Sequence, residues 1–137
     1  MVLDRDIPDA DVCLALMPYL PVVQPSSGVS ILKAALQRAE IATTVVYANL
    51  QWAEEIDLYL YDPIQNMRTS GLIGEWTFGR AAFPDHEPDP CQYFADIQLA
   101  VKELAHRLHR MGHPENDVPT MLRRLRRQAM RFIDGVA

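Results

Sequence analysis

"DVCLALMP", residues 11–18, decides the fold. Between Asp11 and Pro18 the run is almost unbroken in its apolar character. A strand with one wet face alternates apolar and polar residues. A continuous apolar run predicts a strand covered on both faces, as in a parallel sheet. Cys13 lies inside the run and reads as a small core residue rather than a reactive thiol. Pro18 ends the strand, because proline has no N–H to give to a central ladder.

Working outward, "YLPVVQPSSG" (19–28) is a loop with two further prolines, Pro21 and Pro25. Ser26 or Ser27 can accept a bond from a free N–H two or three residues on, which places a helix start there. In the helix, Val29, Leu32, Leu36 and Ala39 form one apolar stripe at spacings of three and four. "IATTVVYANL" (41–50) is rich in β-branched residues and is a second strand. Strand, helix, strand with a crossover of this length is a βαβ unit with a right-handed connection. The fold class is therefore α/β. Residues 1–50 form the βαβ half of a Rossmann-like domain, and residues 51–137 form a mostly helical extension.

The downstream pattern is helical. "QWAEEIDLYLYDP" (51–63) predicts one helix with Trp52, Ile56, Tyr59 and Leu60 on one side and Pro63 beyond its end. "GEWTFGRAAFPD" (74–85) has no clean period, yet holds Trp76, Phe78 and Phe83. It reads as an irregular stretch whose aromatics pack inward against the helices of 52–62 and 92–111. Asp89 and Pro90 mark a cap and a first helical position. From there Phe94, Ile97, Val101, Leu104, Leu108 and Met111 predict a long amphipathic helix ending near Gly112. Asp117, Pro119 and Thr120 start the last helix. Its apolar face carries Met121, Leu122, Leu125, Ala129, Phe132 and Ile133, and five arginines take the rest. Two parallel strands make a small sheet with open edges. The reading favoured here places the remaining strands in sequence outside this chain, and open edges also favour self-association.

The chain has 137 residues, is 49% hydrophobic and carries a net charge of −5, which fits one globular domain. No apolar run reaches the ~20 residues of a membrane span. The N-terminus lacks the basic-then-apolar order of a signal peptide, so the expected setting is cytoplasmic. Residues 1–100 hold 5 basic and 14 acidic side chains, and residues 101–137 hold 8 basic and 4 acidic. An acidic body with a basic tail points to internal docking or to a local anionic partner, not to a general nucleic-acid binder.

The loop from Met17 to Gly28 lies at the carboxyl end of a parallel strand and before a helix N-terminus, where open α/β sheets bind ligands. It carries neither Gly-x-Gly-x-x-Gly nor a Walker loop, so an ordinary rigid connection is the competing reading. His106, His109 and His113 have the spacing to gather a metal. They lie off the apolar stripe, and a solvated polar face accounts for them better. Arg123, Arg124, Arg127 and Arg131, with Arg126, suit phosphate or an acidic peptide, or the wet side of a helix docked against the acidic body. No nucleophile–base pair is evident in the sequence.

"VCLALMP", "PSSGVSILKAALQRAEIATTVVYANLQWAEEI" and "LIGEWTFGRAAFPD" occur in that order. Together they resemble the N-terminal region of radical SAM enzymes that mature ribosomally made peptides. The similarity is to the cobalamin-dependent C-methyltransferase-like maturases, which begin with a cobalamin-binding-type Rossmann domain. In that family a strand ending in an Asn-Leu pair precedes a helical insertion with a "GEW-F-AALF" stretch. The resemblance covers residues 11–85. It implies that Pro18, Tyr19, Pro25, Ser26 and Ser27 face cobalamin, and that the partner is a precursor peptide or the remainder of the enzyme. No nucleic acid and no membrane are expected, on the charge distribution and on the lack of a long apolar run. S-adenosylmethionine and an iron–sulfur cluster belong to a fuller-length relative, because this chain has no Cys-x-x-x-Cys-x-x-Cys. Asp-x-His-x-x-Gly is also missing, and Ala39-Glu40 stands where the family has Ala-Gly. The expected function is that of a non-catalytic segment of such a maturase. The alternative is an α/β adaptor that binds a peptide or protein partner.

Overall fold

The computed structural model describes residues 9–67, 71–113 and 117–136. Its elements are β1 (Val12–Leu16), α1 (Ser27–Arg38), β2 (Thr43–Tyr47), α2 (Ala48–Ile56), α3 (Leu58–Gln65), α4 (Ile73–Ala82), α5 (Pro90–Asp96), α6 (Gln98–Arg110) and α7 (Val118–Val136). This is a small α/β architecture, a two-stranded parallel sheet followed by helices. The chain divides into two compact units, Met1–Glu54 and Glu55–Ala137.

In the first unit, β1 pairs with β2 in parallel, from Val12 opposite Thr43 to Leu16 opposite Tyr47. The register is pinned at its start. The N–H of Val12 donates to the carbonyl of Ala42 (3.1 Å), and the N–H of Ala42 donates to Oδ2 of Asp11 (3.1 Å). The expectation that β1 is covered on both faces is corrected. Val12 and Leu14 are half-buried and Leu16 is buried, but Cys13 and Ala15 are exposed. Side chains alternate across a strand, so one side of β1 faces solvent although its residues are apolar. Cys13 is therefore not a core residue.

Helix α1 begins where the serines place it. Oγ of Ser26 accepts the N–H of Val29 at 3.3 Å. Val29 and Leu36 are half-buried, but Leu32 and Ala39 of the expected stripe are exposed, and α1 has no fully buried residue. The helix ends in a 6→1 closure, with the N–H of Ile41 donating to the carbonyl of Leu36 (3.0 Å). That closure puts Glu40 at φ 59°, the left-handed region that glycine occupies without steric cost.

The second unit is built by helices. α4 packs along α7, α3 against α4 and α6, and α6 against α5 and α7. Its core includes Leu60, Tyr61, Ile64, Ile73, Trp76, Phe94, Leu104, Leu108, Leu122, Leu125 and Ala129.

Three helical expectations change. The single helix over 51–63 is two, α2 and α3, broken at Asp57 with φ 70° and ψ 147°, and Pro63 lies inside α3 rather than after it. A proline there costs the helix one internal hydrogen bond. The long helix from Pro90 is also two, because Ile97, at φ −102° and ψ 23°, separates α5 from α6. Its apolar period runs on across the break, with Phe94, Ile97, Leu104 and Leu108 all buried. The "irregular" stretch is helix α4. Gly74 and Gly79 lower its intrinsic propensity by roughly 1 kcal/mol each relative to alanine. Burial of Ile73, Trp76 and Thr77 offsets this, and Thr77 satisfies its hydroxyl by donating to the carbonyl of Ile73 at 2.7 Å.

Candidate functional site

The first candidate is the loop between β1 and α1. Its backbone turns sharply after the strand, with Tyr19 at φ 66° and the N–H of Leu20 donating to the carbonyl of Met17 at 3.4 Å. Pro18, Tyr19 and Ser26 are half-buried, while Pro25 and Ser27 are exposed. Ser26 is committed to the helix, since its Oγ caps Val29 and its carbonyl accepts the hydroxyl of Ser30 at 3.0 Å. The N–H groups of Ser27 and Gly28 have no acceptor among the described residues. They are the donors that a ligand at this helix end would meet.

Asn49 was not among the residues expected here. It follows β2 in the first turn of α2 and is only 2% exposed. Its Nδ2 donates to the carbonyl of Pro21 at 3.3 Å, which ties the middle of the loop to the end of the second strand. Its Oδ1 is buried and has no partner among the described residues. A buried amide oxygen without a donor is costly, about 1–3 kcal/mol. The signal in the sequence was a lone asparagine after an apolar strand, which reads as a simple strand end.

The second candidate is the arginine face of α7. Arg124, Arg127 and Arg131 are exposed, and none has an ion pair or hydrogen bond among the described residues. Arg123 is half-buried and lies over the ring of Phe94, 4.9 Å from its centroid. Among the described residues no carboxylate of residues 1–100 forms an ion pair with these four arginines, and Arg123 acts electrostatically on Asp117.

Arg126 behaves differently. It is buried on the apolar side of α7, its guanidinium stacked over the indole of Trp76 at 4.6 Å and donating through Nη1 to the carbonyl of Trp76. Glu87 reaches it at 4.0 Å and also pairs with Arg80 at 3.1 Å. Burial lowers the pKa of Arg126 and the nearby Glu87 opposes that shift. Arginine keeps its charge under such a shift, because its reference value is so high.

Trp76 also stacks face to face on Tyr93, with centroids 4.8 Å apart, and meets Phe94 at 5.2 Å. The hydroxyl of Tyr93 donates to the carbonyl of Gly71 at 2.7 Å. Burial, with a further contribution from Glu75, holds that phenol far above the usual tyrosine range, so it stays a donor. A Cβ on Gly71 would meet the Cβ of Ala100 at 3.0 Å, so any larger residue in the turn under Tyr93 would have to push Ala100 aside by a few tenths of an ångström. These contacts fit the expectation that Trp76 packs inward. Phe78 instead meets Phe132 of α7 at 6.3 Å, and Phe83 is 66% exposed, which corrects the expectation for that ring. The cluster ties α4, α5 and α7 together and is structural in character.

The three histidines are exposed, and the ring of His113 lies 4.6 Å from that of Tyr59. Among the described residues no group of three or more histidine, cysteine, aspartate or glutamate side chains is placed to hold a metal ion. No helix of the described residues is long and apolar enough to cross a membrane. No family model, curated protein or solved structure matches the chain.

Proposed function

We propose that this chain is the cofactor-facing N-terminal segment of a peptide-modifying radical SAM maturase of the cobalamin-dependent C-methyltransferase-like kind, non-catalytic by itself. The sequence support is the ordered set of motifs from Val12 to Asp85. The structural observation that carries the reading is the loop at the carboxyl end of β1, tied by Asn49 to the end of β2. The residues there suit a ligand rich in amide groups, as a corrinoid is. Ser27 and Gly28 offer N–H donors at the helix end, and the bond from Asn49 to Pro21 holds the loop that leads to them. Pro18, Tyr19, Pro25, Ser26 and Ser27 would form the contact surface, with the two prolines and the Ser26 cap holding the loop in shape. When bound in a fuller-length relative, cobalamin supplies the methyl group that is transferred to carbon. The chain's own residues bind and orient.

The test is direct. Purified chain mixed with hydroxocobalamin should co-elute with it and shift its visible spectrum, and Asn49→Ala should weaken both effects. An unchanged spectrum with no co-elution removes cofactor binding from this segment.

A second reading, an adaptor that binds a peptide or protein partner, rests on a separate observation. Three exposed arginines on α7 have no acidic partner within the described residues.

A further inference from the structure

The arginines of α7 divide by their angle around the helix. At about 100° per residue, Arg124, Arg127 and Arg131 fall within roughly 60° of one another, while Arg126 points some 160° away from Arg124. The structure follows that division, with Arg126 buried against Trp76 and the other three exposed. Arg124 and Arg127 are three apart, and Arg127 and Arg131 are four apart. Like charges at those spacings repel along the helix surface. The one acidic residue of α7, Asp134, lies a turn beyond Arg131 and forms no ion pair with any of the three among the described residues. The helix that bears the stripe is held from behind by Arg126 on Trp76 and by the buried Leu122, Leu125 and Ala129, and at its flank by Arg123 on Phe94.

From this we infer that the Arg124–Arg127–Arg131 stripe is a docking surface for an acidic polypeptide segment whose carboxylates lie on one helical face. Such a segment places its side chains at the same three- and four-residue steps, so successive carboxylates meet successive guanidiniums and the repulsion along the stripe is relieved. A protein partner is favoured over nucleic acid by the charge of the whole. The stripe offers three guanidiniums on a chain of net −5, too few to hold a long phosphate backbone. The inference deepens the adaptor reading and depends on that reading alone. Cofactor binding at the β1–α1 loop can fail without touching it.

Fluorescence anisotropy with labelled synthetic peptides tests it on the full chain. One peptide is a helix former with glutamates at positions i, i+3 and i+7. A second has the same composition with the glutamates spread around the helix. A single-stranded oligonucleotide of equal charge is the third ligand. The expected result is binding of the first peptide, weaker binding of the second, and steep weakening with added salt. The triple variant Arg124→Gln, Arg127→Gln, Arg131→Gln should bind the first peptide about tenfold less tightly. Its three positions are exposed, so its circular dichroism should match that of the parent. Three results would overturn the inference: no binding, equal binding by parent and triple variant, or tighter binding of the oligonucleotide. A dimer in sedimentation that the triple variant abolishes would also overturn it, because the occupant would then be a second copy of this chain.

Discussion

The two units of this chain solve the burial problem to different degrees. In Met1–Glu54 the helix α1 has no fully buried residue, Ile31 is 69% exposed, and one side of β1 is open to solvent. In Glu55–Ala137 five helices share a core of large side chains, with Leu104, Leu108, Leu122 and Leu125 wholly covered. Apart from Leu16 and the Ala48, Trp52 and Ala53 side of α2, which are buried, the first unit fixes its geometry with hydrogen bonds: Asp11 to Ala42, Ser26 to Val29, Asn49 to Pro21. The second fixes its geometry with area. Hydrogen bonds exchange with water and contribute about 1 kcal/mol each, whereas a buried large apolar side chain contributes roughly 1.5–3. The lesson is that regular secondary structure and stability are separable along one short chain.

The sharpest way to break the comparison is to delete side chains on both sides of it. Trp76→Ala, in the stack with Tyr93, Phe94 and Arg126, should cost about 3–5 kcal/mol in denaturant unfolding followed by circular dichroism. Leu32→Ala on α1, an exposed position, should cost no more than about 0.5 kcal/mol. Comparable losses at the two sites would mean that α1 is covered as well as α4, and the contrast would fall.

A smaller effect of opposite sign is expected in the first unit. Glu40 sits at φ 59°, where a side chain costs about 1–2 kcal/mol that glycine does not bear. Glu40→Gly should therefore raise stability by up to about 1 kcal/mol, the extra freedom of the unfolded glycine taking back part of the gain. A neutral or destabilising result would show that the αL closure after α1 is not strained.

The smallest effect concerns pH. The carboxylate of Asp117 accepts both the hydroxyl (2.6 Å) and the N–H (3.0 Å) of Thr120 at the start of α7. Those two bonds, the hydroxyl first, lower its pKa below the ordinary aspartate range. A depressed carboxyl contributes its stabilisation above the unfolded-state pKa and loses it as pH falls through the folded value. Hydrogen-exchange protection at the first turn of α7, measured relative to the intrinsic rate at each pH, should therefore fall only below the usual aspartate range, roughly pH 4. Asp117→Ala should remove that acid dependence. An acid limb that survives the substitution would assign it to another carboxylate.

Much of the architecture was readable from local chemistry. The serine cap, the β-branched run and the Asp89-Pro90 start each rest on a property of one or two residues, and each is where it was expected. The breaks at Asp57 and Ile97 were not readable, because the apolar period continues across them and periodicity sees only that. Helix α4 was hidden by its glycines, whose cost is met by tertiary burial that no local window contains. At the candidate sites, the loop was located by position, but Asn49 was not, since its importance lies in a bond to Pro21 twenty-eight residues earlier. Arg126 could have been found. It shares a helical face with Leu122, Ala129 and Ile133 at i−4, i+3 and i+7, and an arginine on that face must find a buried partner.

The exposed thiol on β1 has a practical counterpart. Cys13 in the first unit and Cys91 at the start of α5 in the second are the chain's two cysteines, and both are accessible. Neither lies in the candidate loop or on the arginine stripe. A donor and an acceptor dye coupled to the natural sequence would thus put one fluorophore on each unit. Energy transfer between them becomes a ruler for how the units are held, read with and without the acidic peptide and with no residue changed.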